Sequence, residues 1–354
     1  MENYYGIGIM SGTSLDGLDL AYCMFSNSDG KWSFSIEIAE TIPYSDSWRE
    51  KLLTLHMASP AEIENADLAL GEYIGLKVRD FMKNNRLKAD FVASHGHTVL
   101  HKPEEKLTLQ IGDGKRIAGH CGIPVVNDFR SSDVAMGGQG APLVPIGDRF
   151  LFAEFEYCLN LGGIANISFE DDGNRIAFDI SPANMVLNHL AAQANKPYDD
   201  KGAMAAKGEL VQEMLEQLEG LPYYKMTGPR SLGREWVEEH IFPLLNDYRN
   251  HSIPDLLATF SEHIALRLAA VLNRKGSRML VTGGGAYNEH LISRMKHHCD
   301  VDIILPEKKI IDYKEAMVFA FLGLLRLKKI NNVLGSVTGA PEDHCAGVIF
   351  RSGK

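Results

Sequence analysis

The sequence is poor in cysteine and has no paired cysteine motif. Five cysteines occur in 354 residues, at positions 23, 121, 158, 299 and 345, and no two of them form a C-x-x-C pair. A dispersed, odd-numbered set is typical of a reducing compartment rather than of a disulfide framework or a zinc site. We therefore expect a cytoplasmic protein in which the cysteines are small buried apolar residues.

Long apolar runs and an excess of positive charge are also missing. The longest apolar stretch, Ala316 to Leu325, is too short to cross a membrane. Acidic residues outnumber basic ones by 46 to 36, and the formal net charge is −10. This charge argues against nucleic acid or an anionic membrane as the main partner. Any phosphate must therefore be bound by local glycine turns, a few cations and a metal.

Two common nucleotide-binding motifs are absent from the chain. No G-x-x-x-x-G-K-[ST] run occurs, which disfavours a P-loop enzyme. Gly6 and Gly8 begin a G-x-G run, but Ser11 stands where the dinucleotide fingerprint requires its third glycine.

Three glycine-rich turns are present, and each directly follows an apolar strand. In the first, the strand Tyr4–Met10 leads into the run SGTSLDG, and a second strand begins at Leu18. Glycines let backbone N–H groups approach a bound anion, and the Ser and Thr hydroxyls can donate to phosphate oxygens. Asp16 or Asp19 can hold a hydrated magnesium ion, and the sequence does not distinguish between them.

The second and third turns repeat this pattern later in the chain. The run GGIAN, residues 162–166, follows the strand Glu156–Leu161, about 150 residues after the first turn. The run GGGA, residues 283–286, links the strand Met279–Thr282 to a helix from about Asn288. Such a series suits a nucleotide held between two related lobes, and the chain length also favours two lobes. We expect lobe I to span residues 1–132 plus a return segment of about 330–354, and lobe II residues 133–329.

Eight motifs along the chain resemble the anhydro-N-acetylmuramic acid kinase family. They are MSGTSLDGLD from Met10, SHGHTVLHKP from Ser94, TLQIGDG from Thr108, DFRSSDVAMGGQGAPLVP from Asp128, LNLGGIANIS from Leu159, TGGGAYN from Thr282, EAMVFAFL from Glu315 and SVTGA from Ser336. They stand in the family's order and span nearly the whole chain. The resemblance implies an α/β fold of the actin/Hsp70/hexokinase type, with two ribonuclease H-like lobes and ATP in the cleft between them.

The resemblance also implies a homodimeric cytoplasmic enzyme of murein recycling. Such an enzyme opens the anhydro ring of 1,6-anhydro-N-acetylmuramic acid with water and phosphorylates O6 with MgATP. Its product is N-acetylmuramic acid 6-phosphate. The reaction requires a carboxylate base near the attacking water, as inverting glycoside hydrolysis does.

Asp179 is the candidate base, because the matching aspartate of the family is its catalytic base. It follows the strand Arg175–Phe178, and a helix is predicted from about Pro182. Ser181 is a suitable N-cap for that helix, so Asp179 is not needed there, and the helix N-terminus would favour its ionised form. The alternative is an aspartate satisfied by nearby backbone amides.

Two segments depart from the common family pattern. FDISPAN, residues 178–184, replaces FDTGPGN, and Asn188 replaces a later aspartate. RSLGRE, residues 230–235, replaces KSTGRE. The first change concerns the fit of the sugar, so another anhydrosugar remains an alternative substrate.

Further site residues follow from the matched motifs. The expected ATP-binding residues are Ser11, Gly12, Thr13, Ser14, Leu15, Asp16, Gly17, Asp19, Gly162, Gly163, Asn166, Gly283, Gly284, Gly285 and Ala286. The expected substrate-binding residues are His95, His97, Arg130, Gly138, Gln139, Gly140 and Asn184.

Two of the candidate residues carry an alternative interpretation. Arg130, with Asp128 and Asp133 beside it, suits the lactyl carboxylate of the sugar, and a structural salt bridge is the alternative. Glu315 is a second catalytic candidate, and a stabilising acid in the first turn of a helix is its alternative.

Two functions of other classes remain open from the sequence. His95, His97 and His101 suggest a zinc hydrolase, although no cysteine or spaced carboxylate completes the set. A non-catalytic actin-like ATP-binding protein is the other alternative, and it would need no base at position 179.

Overall fold

A computed structural model describes residues 2–12, 15–226 and 230–351 of the chain. The strands are β1 (Glu2–Ser11), β2 (Gly17–Ser28), β3 (Lys31–Pro43), β4 (Phe91–Ser94), β5 (His97–Lys102), β6 (Leu107–Ile111), β7 (Val125–Asn127), β8 (Tyr157–Leu161), β9 (Ile164–Asp171), β10 (Asn174–Pro182), β11 (Arg278–Thr282), β12 (Asp302–Ile304) and β13 (Val348–Phe350).

The helices alternate with these strands. The α-helices are α1 (Asp46–Thr54), α2 (Pro60–Asn84), α3 (Gly114–Cys121), α4 (Ser131–Ala135), α5 (Pro145–Leu151), α6 (Asn184–Gln193), α7 (Gln212–Glu219), α8 (Arg234–Trp236), α9 (Phe242–Asp247), α10 (Ile253–Ala269), α11 (Glu289–His298), α12 (Lys308–Lys328) and α13 (Gly335–Thr338). A π-helical turn covers Val237–Ile241, and 3₁₀ turns cover Leu55–Met57, Pro103–Glu105, Asp200–Gly202, Ala205–Lys207, Pro222–Lys225 and Gly284–Tyr287.

The chain divides into two units. Unit 1 comprises Met1–Phe152 and Tyr313–Lys354, and unit 2 comprises Ala153–Asp312. These borders differ from the expected ones at 132/133 and 329/330. Unit 1 extends about twenty residues further at the first border, to Phe152, and it includes α12 from Tyr313 onward at the second.

The packing of α12 explains this difference. Every residue from 316 to 325 is buried, and in unit 1 this stretch packs on β1 and β2. Gly8 on β1 leaves room for the carbonyl of Ala316, and Phe321 lies 5.5 Å from Phe25 between ring centroids. The apolar run of the sequence is thus a core helix of unit 1.

The sheet of unit 1 has the strand order β13-β7-β4-β1-β2-β3. Strands β1, β2 and β3 form an antiparallel meander, β4 runs parallel to β1, and β7 runs parallel to β4. Strand β13 returns antiparallel to β7, and β5 and β6 form a separate hairpin. Buried residues such as Ile7, Leu20, Ile74 and Val92 form the core beneath this sheet.

The sheet of unit 2 repeats the same arrangement. Its order is β10-β9-β8-β11-β12, with β8, β9 and β10 antiparallel and with β11 and β12 parallel to β8. An antiparallel meander followed by parallel strands on its inner side is the ribonuclease H-like topology. The predicted fold class is therefore confirmed, and β8 takes in unit 2 the place that β1 takes in unit 1.

Local sequence signals account for several element ends. Ser59 caps α2, and the Glu62 side chain accepts from the Ser59 amide at 2.8 Å. A serine followed three residues later by a glutamate is the sequence signature of this capping box. Asn288 caps α11 by accepting from the Leu291 amide at 2.9 Å. Strand β9 begins earlier than predicted, at Ile164, so Asn166 lies in a strand and only Gly162 and Gly163 form the turn.

The remaining global predictions concern cysteine burial and membrane spans. Cys23, Cys158 and Cys299 are buried as expected, whereas Cys121 and Cys345 are partly exposed. Within the described ranges, no helix is both long and apolar enough to reach across a bilayer.

A matched pair of glycine substitutions in unit 1 tests this packing. Gly8→Ala should lower the free energy of unfolding by about 1–3 kcal/mol, because the new methyl group meets the Ala316 carbonyl. Gly119→Ala should instead raise it by about 0.5–1 kcal/mol, because Gly119 is an exposed position on α3 with no described atom within 4 Å of the added carbon. Urea unfolding measures both. A Gly8→Ala protein as stable as the wild type would contradict the packing described for α12.

Candidate active site

Asp179 lies on β10, the edge strand of the unit 2 sheet. It stands directly opposite Asn166 on β9, and Asn166 stands opposite Asn160 on β8. Because paired residues of adjacent strands project from the same face, these three side chains form one polar row. The register shifts between Asp179 and Ser181, so the ladder is interrupted immediately after Asp179.

Three hydrogen bonds hold Asp179 from the side of β10 that has no neighbouring strand. Its amide donates to the carbonyl of Arg230 (3.0 Å), and the Tyr223 hydroxyl donates to its carbonyl (2.7 Å). The amide of Leu232 donates to its carboxylate oxygen Oδ2 (2.7 Å). Among the described residues, no group donates to the other oxygen, Oδ1. One carboxylate oxygen is thus fixed and the other is left for a ligand or water.

Burial raises the pKa of Asp179 to about 6, while the hydrogen bond from the Leu232 amide lowers it in part. The carboxylate is therefore ionised at neutral pH and remains close to its pKa, which suits a group that takes up a proton. The expected effect of a helix N-terminus is not the main influence. Helix α6 begins only at Asn184, and its N-cap is Ala183, so the prediction that Ser181 caps the helix is wrong: Ser181 is still part of β10.

The second glycine turn is fixed against the start of α6. The amides of Asn184 and Ala183 donate to the carbonyls of Gly162 (3.1 Å) and Gly163 (2.8 Å). The Asn184 side chain donates to the carbonyl of Leu161 (3.0 Å). The structure thus brings a predicted substrate-binding residue, Asn184, against two predicted ATP-binding glycines.

The third glycine turn packs on the same part of unit 2. Gly283 has a φ of +82°, which favours glycine, and a side chain there would also meet Leu161. A Cβ on Gly285 would lie 2.6 Å from Leu161 and 3.3 Å from the Asn184 side chain. The third turn therefore packs against Leu161, the residue directly before the second turn, and against Asn184.

A cavity of about 370 Å³ opens beside the third turn in unit 2. It is lined by Ala286, Glu289, Ile292, Ser293, Lys296 and Leu305. Apolar walls with a few polar groups are typical of a small-molecule pocket, and the volume lies in the usual range for one. The sequence prediction included Ala286 alone of these residues, because the others come from a helix and a loop without a distinctive motif.

Arg130 and His95 form a hydrogen-bonded pair in unit 1. Arg130 donates from Nε to His95 Nε2 (3.0 Å) and from Nη1 to the carbonyl of Gly140 (2.6 Å). Because arginine only donates, Nε2 of His95 is an acceptor, and its Nδ1–H is left to donate to the carbonyl of Gly96 (3.0 Å). Burial and the Arg130 charge hold the pKa of His95 well below its usual range.

This pairing removes the support for a zinc hydrolase. Both ring nitrogens of His95 are used, and His101 bonds to Thr108 (3.0 Å). In the part of the chain that the structure describes, no group of three or more His, Cys, Asp or Glu side chains could hold a metal ion.

Glu315 interacts electrostatically with Arg130. Burial raises the pKa of Glu315, and the charges of Arg130 and Lys314 lower it. Burial lowers the pKa of Arg130 to about 10, and Glu315 opposes this shift. Helix α12 begins at Lys308, so Glu315 lies beyond the first turn. The interpretation of Glu315 as a first-turn acid is therefore wrong.

Asp133 supports the loop of Gly138, Gln139 and Gly140 instead of orienting Arg130. Its carboxylate accepts from the Gly140 amide (2.6 Å) and from the Thr338 hydroxyl (2.7 Å). The Gln139 amide donates to the Thr338 carbonyl (2.7 Å), and Gly138 packs directly on Asp133. Asp128, the other expected neighbour, accepts instead from the Ser131 amide at 3.1 Å. The loop is thus tied to α13, and Arg130 reaches it through the Gly140 carbonyl.

The first glycine turn is anchored by its flanking residues, while Thr13 and Ser14 lie outside the described residues. The Ser11 hydroxyl accepts from Tyr44 (2.8 Å) and bonds to Nδ1 of His97 (3.1 Å). The Leu15 amide donates to the carbonyl of Gly12 (3.3 Å). Ser11 and His97 thus stabilise the base of the turn, together with Tyr44, which the sequence prediction missed.

Asp16 and Asp19 differ in their surroundings. Asp16 is exposed in the turn, next to Gly17 at the start of β2. Asp19 is half-buried on β2 and accepts from the Thr41 hydroxyl (2.5 Å). Carboxylate oxygens suit Mg²⁺, which usually keeps several waters and binds through one or two carboxylates plus substrate phosphates. These residues therefore fit a magnesium ion that arrives with a nucleotide.

Sequence reasoning missed the groups that hold Asp179, namely Tyr223, Leu232 and the Arg230 carbonyl. Two of the three contacts use backbone atoms, which any residue type supplies, so the side-chain pattern carries no signal for them. The only available signal was the position of Arg230 and Leu232 in the RSLGRE segment.

Comparison with known proteins gives one consistent result. The family model described as anhydro-N-acetylmuramic acid kinase matches residues 3–352. Proteins of that name from Paramagnetospirillum magneticum and Acinetobacter baylyi are 36% and 33% identical to this chain. These alignments cover 96% and 97% of this chain and 98% of each relative.

Solved structures are more distant. An activator of 2-hydroxyisocaproyl-CoA dehydratase from Clostridium difficile, with bound ADPNP, aligns at 13% identity with a TM-score of 0.43. The alignment covers 92% of this chain and 97% of that one, and nothing further follows from a similarity at this level.

The raised pKa of Asp179 predicts a pH-dependent gain in stability for Asp179→Asn. Folding favours the protonated carboxyl, so the ionised form costs stability above about pH 6, and the cost vanishes below about pH 4. The rise of the Asp179 pKa from 3.8 to about 6 corresponds to a loss of at most about 3 kcal/mol of folding free energy. Asparagine avoids this cost and can still accept from Leu232. Urea unfolding from pH 4 to 8 should show that the free energy of unfolding of Asp179→Asn increases relative to that of the wild type as the pH rises. Asp172→Asn, in the exposed turn after β9, is the control, and an equal, pH-independent effect of both would contradict the prediction.

Proposed function

This chain belongs to the anhydro-N-acetylmuramic acid kinase family, and on that premise we propose that it opens 1,6-anhydro-N-acetylmuramic acid with water and phosphorylates O6 with ATP. The product is N-acetylmuramic acid 6-phosphate, an intermediate of murein recycling. The family match over nearly the whole chain supports this substrate and reaction. The arrangement around Asp179 is the structural observation that carries the mechanism.

Asp179 acts as the general base. The Leu232 amide fixes Oδ2, and the second oxygen receives the proton of the attacking water. A base works best when its pKa lies near the operating pH, because it must be ionised and still bind a proton well. The pKa of about 6 that burial gives Asp179 meets both requirements at neutral pH.

The reaction consists of a displacement at the anomeric carbon followed by phosphoryl transfer to O6. Water attacks the anomeric carbon, and its proton goes to Asp179. The bond from that carbon to O6 breaks, and O6 keeps the electron pair. O6 then takes the γ-phosphoryl group of ATP, and ADP leaves. The phosphoryl group thus replaces the proton that a glycosidase supplies to its leaving oxygen.

The glycine turns bind the nucleotide in this proposal. Gly12 and Gly17 in the first turn, and Gly162 with Gly163 in the second, supply backbone N–H groups to the phosphates. The cavity beside Ala286 takes the adenosine, with Ile292 as an apolar wall. A bound Mg²⁺ neutralises phosphate charge, and Asp16 and Asp19 are the residues that would hold it, directly or through water.

Arg130 binds the lactyl carboxylate of the sugar. Its bonds to His95 and Gly140 fix the guanidinium plane and leave further N–H groups of the fork for a carboxylate. Glu315, which carries the opposite charge nearby, keeps Arg130 protonated and is the second catalytic candidate. A homodimeric state and a cytoplasmic location complete the proposal, and sedimentation analysis of the purified protein tests the first of these.

Isotope labelling tests the reaction directly. Incubation with MgATP and 1,6-anhydro-N-acetylmuramic acid in H₂¹⁸O should add one phosphoryl group and one water, with the label at the anomeric hydroxyl. Mass spectrometry of the product measures both. Asp179→Asn should turn over about 10²–10⁴-fold more slowly and still bind ATP. Label in the phosphate, or phosphorylation without hydration, would contradict the mechanism.

A pair of sugars tests the role of Arg130. 1,6-Anhydro-N-acetylglucosamine lacks the lactyl group but is otherwise the same as the proposed substrate. Arg130→Lys should lower kcat/KM for the lactyl sugar about 10–100-fold more than for the sugar without it, because it loses the bidentate bond. Equal losses with both sugars would leave Arg130 a purely structural residue. A wild-type preference for levoglucosan would instead indicate another anhydrosugar as the substrate.

A further inference from the structure

Two adjacent tyrosines, Tyr223 and Tyr224, lie in the 3₁₀ turn Pro222–Lys225. Tyr223 donates to the carbonyl of Asp179 (2.7 Å). The ring of Tyr224 packs edge-on against that of Tyr223, with 5.4 Å between the ring centroids. Because the ladder between β10 and β9 shifts between Asp179 and Ser181, the sheet alone does not fix this stretch of backbone.

Tyr224 is itself held by a buried hydrogen-bonded network of polar side chains. Its hydroxyl lies 2.9 Å from Nε2 of His263, which is fully buried on α10. Nδ1 of His263 lies 2.5 Å from Oε1 of Glu219, the last residue of α7. Arg267, one turn further along α10, also bonds to Glu219 and lies over the Tyr224 ring. This hydrogen-bonded network thus runs from α7 through α10 to the 3₁₀ turn, whose Tyr223 contacts Asp179.

The donors and acceptors of this hydrogen-bonded network allow only one arrangement of its protons. A carboxylate only accepts, so Nδ1 of His263 donates to Glu219, and Tyr224 occupies the other ring nitrogen. Burial lowers the pKa of His263, and Glu219 opposes this shift. Both ring nitrogens of His263 have a partner here, and removal of the Tyr224 hydroxyl would leave one of these buried nitrogens without one, which is costly.

We propose that Tyr224, His263 and Glu219 are positioning residues for the base. They hold the 3₁₀ turn in place, so that Tyr223 and the following segment with Leu232 keep the Asp179 carboxylate aimed at its water. This inference rests on the proposed role of Asp179 as the base. The three residues touch neither the sugar nor ATP, and they act through Asp179.

The neighbouring residue on α10 supplies a matched control. Glu262 is also buried and bonds to Arg294 (2.5 and 3.0 Å) and to His298 (2.7 Å). Both partners lie on α11, so this cluster links α10 to α11, and none of its hydrogen bonds among the described residues reaches β10. Glu262→Gln therefore disrupts a similar buried network on the same helix without reaching the base.

The test compares Tyr224→Phe and His263→Gln with Glu262→Gln. Tyr224→Phe removes one oxygen only, so it keeps the experiment decisive if His263→Gln does not fold. Three quantities are measured: the melting temperature, kcat for the anhydrosugar across pH, and the titration midpoint of the Asp179 carboxyl by ¹³C NMR. A misplaced base can lower the rate by about 10²-fold.

We expect both positioning variants to lower kcat about 10–100-fold, with the KM for ATP unchanged. The Asp179 midpoint and the acidic limb of the kcat profile should move to higher pH, because the Leu232 hydrogen bond that lowers the pKa is weakened. Glu262→Gln should lower the melting temperature but leave kcat and the midpoint at wild-type values.

Other outcomes overturn the inference. A wild-type kcat and an unchanged Asp179 titration midpoint in Tyr224→Phe would mean that the network is purely structural. Changes of the same size in Glu262→Gln would mean the same. Failure of the proposed function is recognised separately, because the wild-type protein would then not convert the sugar. The NMR titration of Asp179 does not require catalytic turnover, so it would still decide whether the network positions Asp179.

Discussion

One hydrogen bond, from the amide of Leu232 to the carboxylate of Asp179, determines the geometry on which the proposed chemistry depends. It fixes one oxygen of a half-buried carboxylate and leaves the other for water. Because β10 is an edge strand, the backbone N–H and C=O of Asp179 are not taken up by a further strand. They bond instead to the carbonyl of Arg230 and the hydroxyl of Tyr223. These contacts hold Arg230 beside the strand, two residues before the Leu232 amide.

In the proposed function, the two units use one topology for different tasks. The polar row Asn160, Asn166 and Asp179 in unit 2 corresponds by strand order and position to Met10, Asp19 and Thr41 in unit 1. In unit 1 the carboxylate lies on the middle strand of the meander and bonds to Thr41, which suits a metal and phosphate site. In unit 2 it lies on the edge strand, where burial raises its pKa and readies it for proton transfer. In the proposed function, the role of each acid thus depends on which strand carries it.

The sequence predicted the features that depend on local pattern. The meander strands, the glycine turns and the capping box at Ser59 follow from periodicity, glycine placement and cap chemistry. The features it missed depend on tertiary packing. Ser181 has the residue type of a helix cap, but β10 continues to Pro182 because Ser181 and Pro182 pair with Ala165 and Ile164 of β9. Glu315 reads as the start of a helix, but α12 begins at Lys308. Leu232 acts through its backbone amide, so its residue type gave no signal.

A crystal structure with 1,6-anhydro-N-acetylmuramic acid and a non-hydrolysable ATP analogue tests the central claim most directly. The account predicts a single water within about 2.6–3.2 Å of Asp179 Oδ1, placed on the side of the anomeric carbon opposite O6. The Leu232 amide should remain on Oδ2. A carboxylate that contacts neither the sugar nor a water beside it would contradict the assignment of Asp179 as the base.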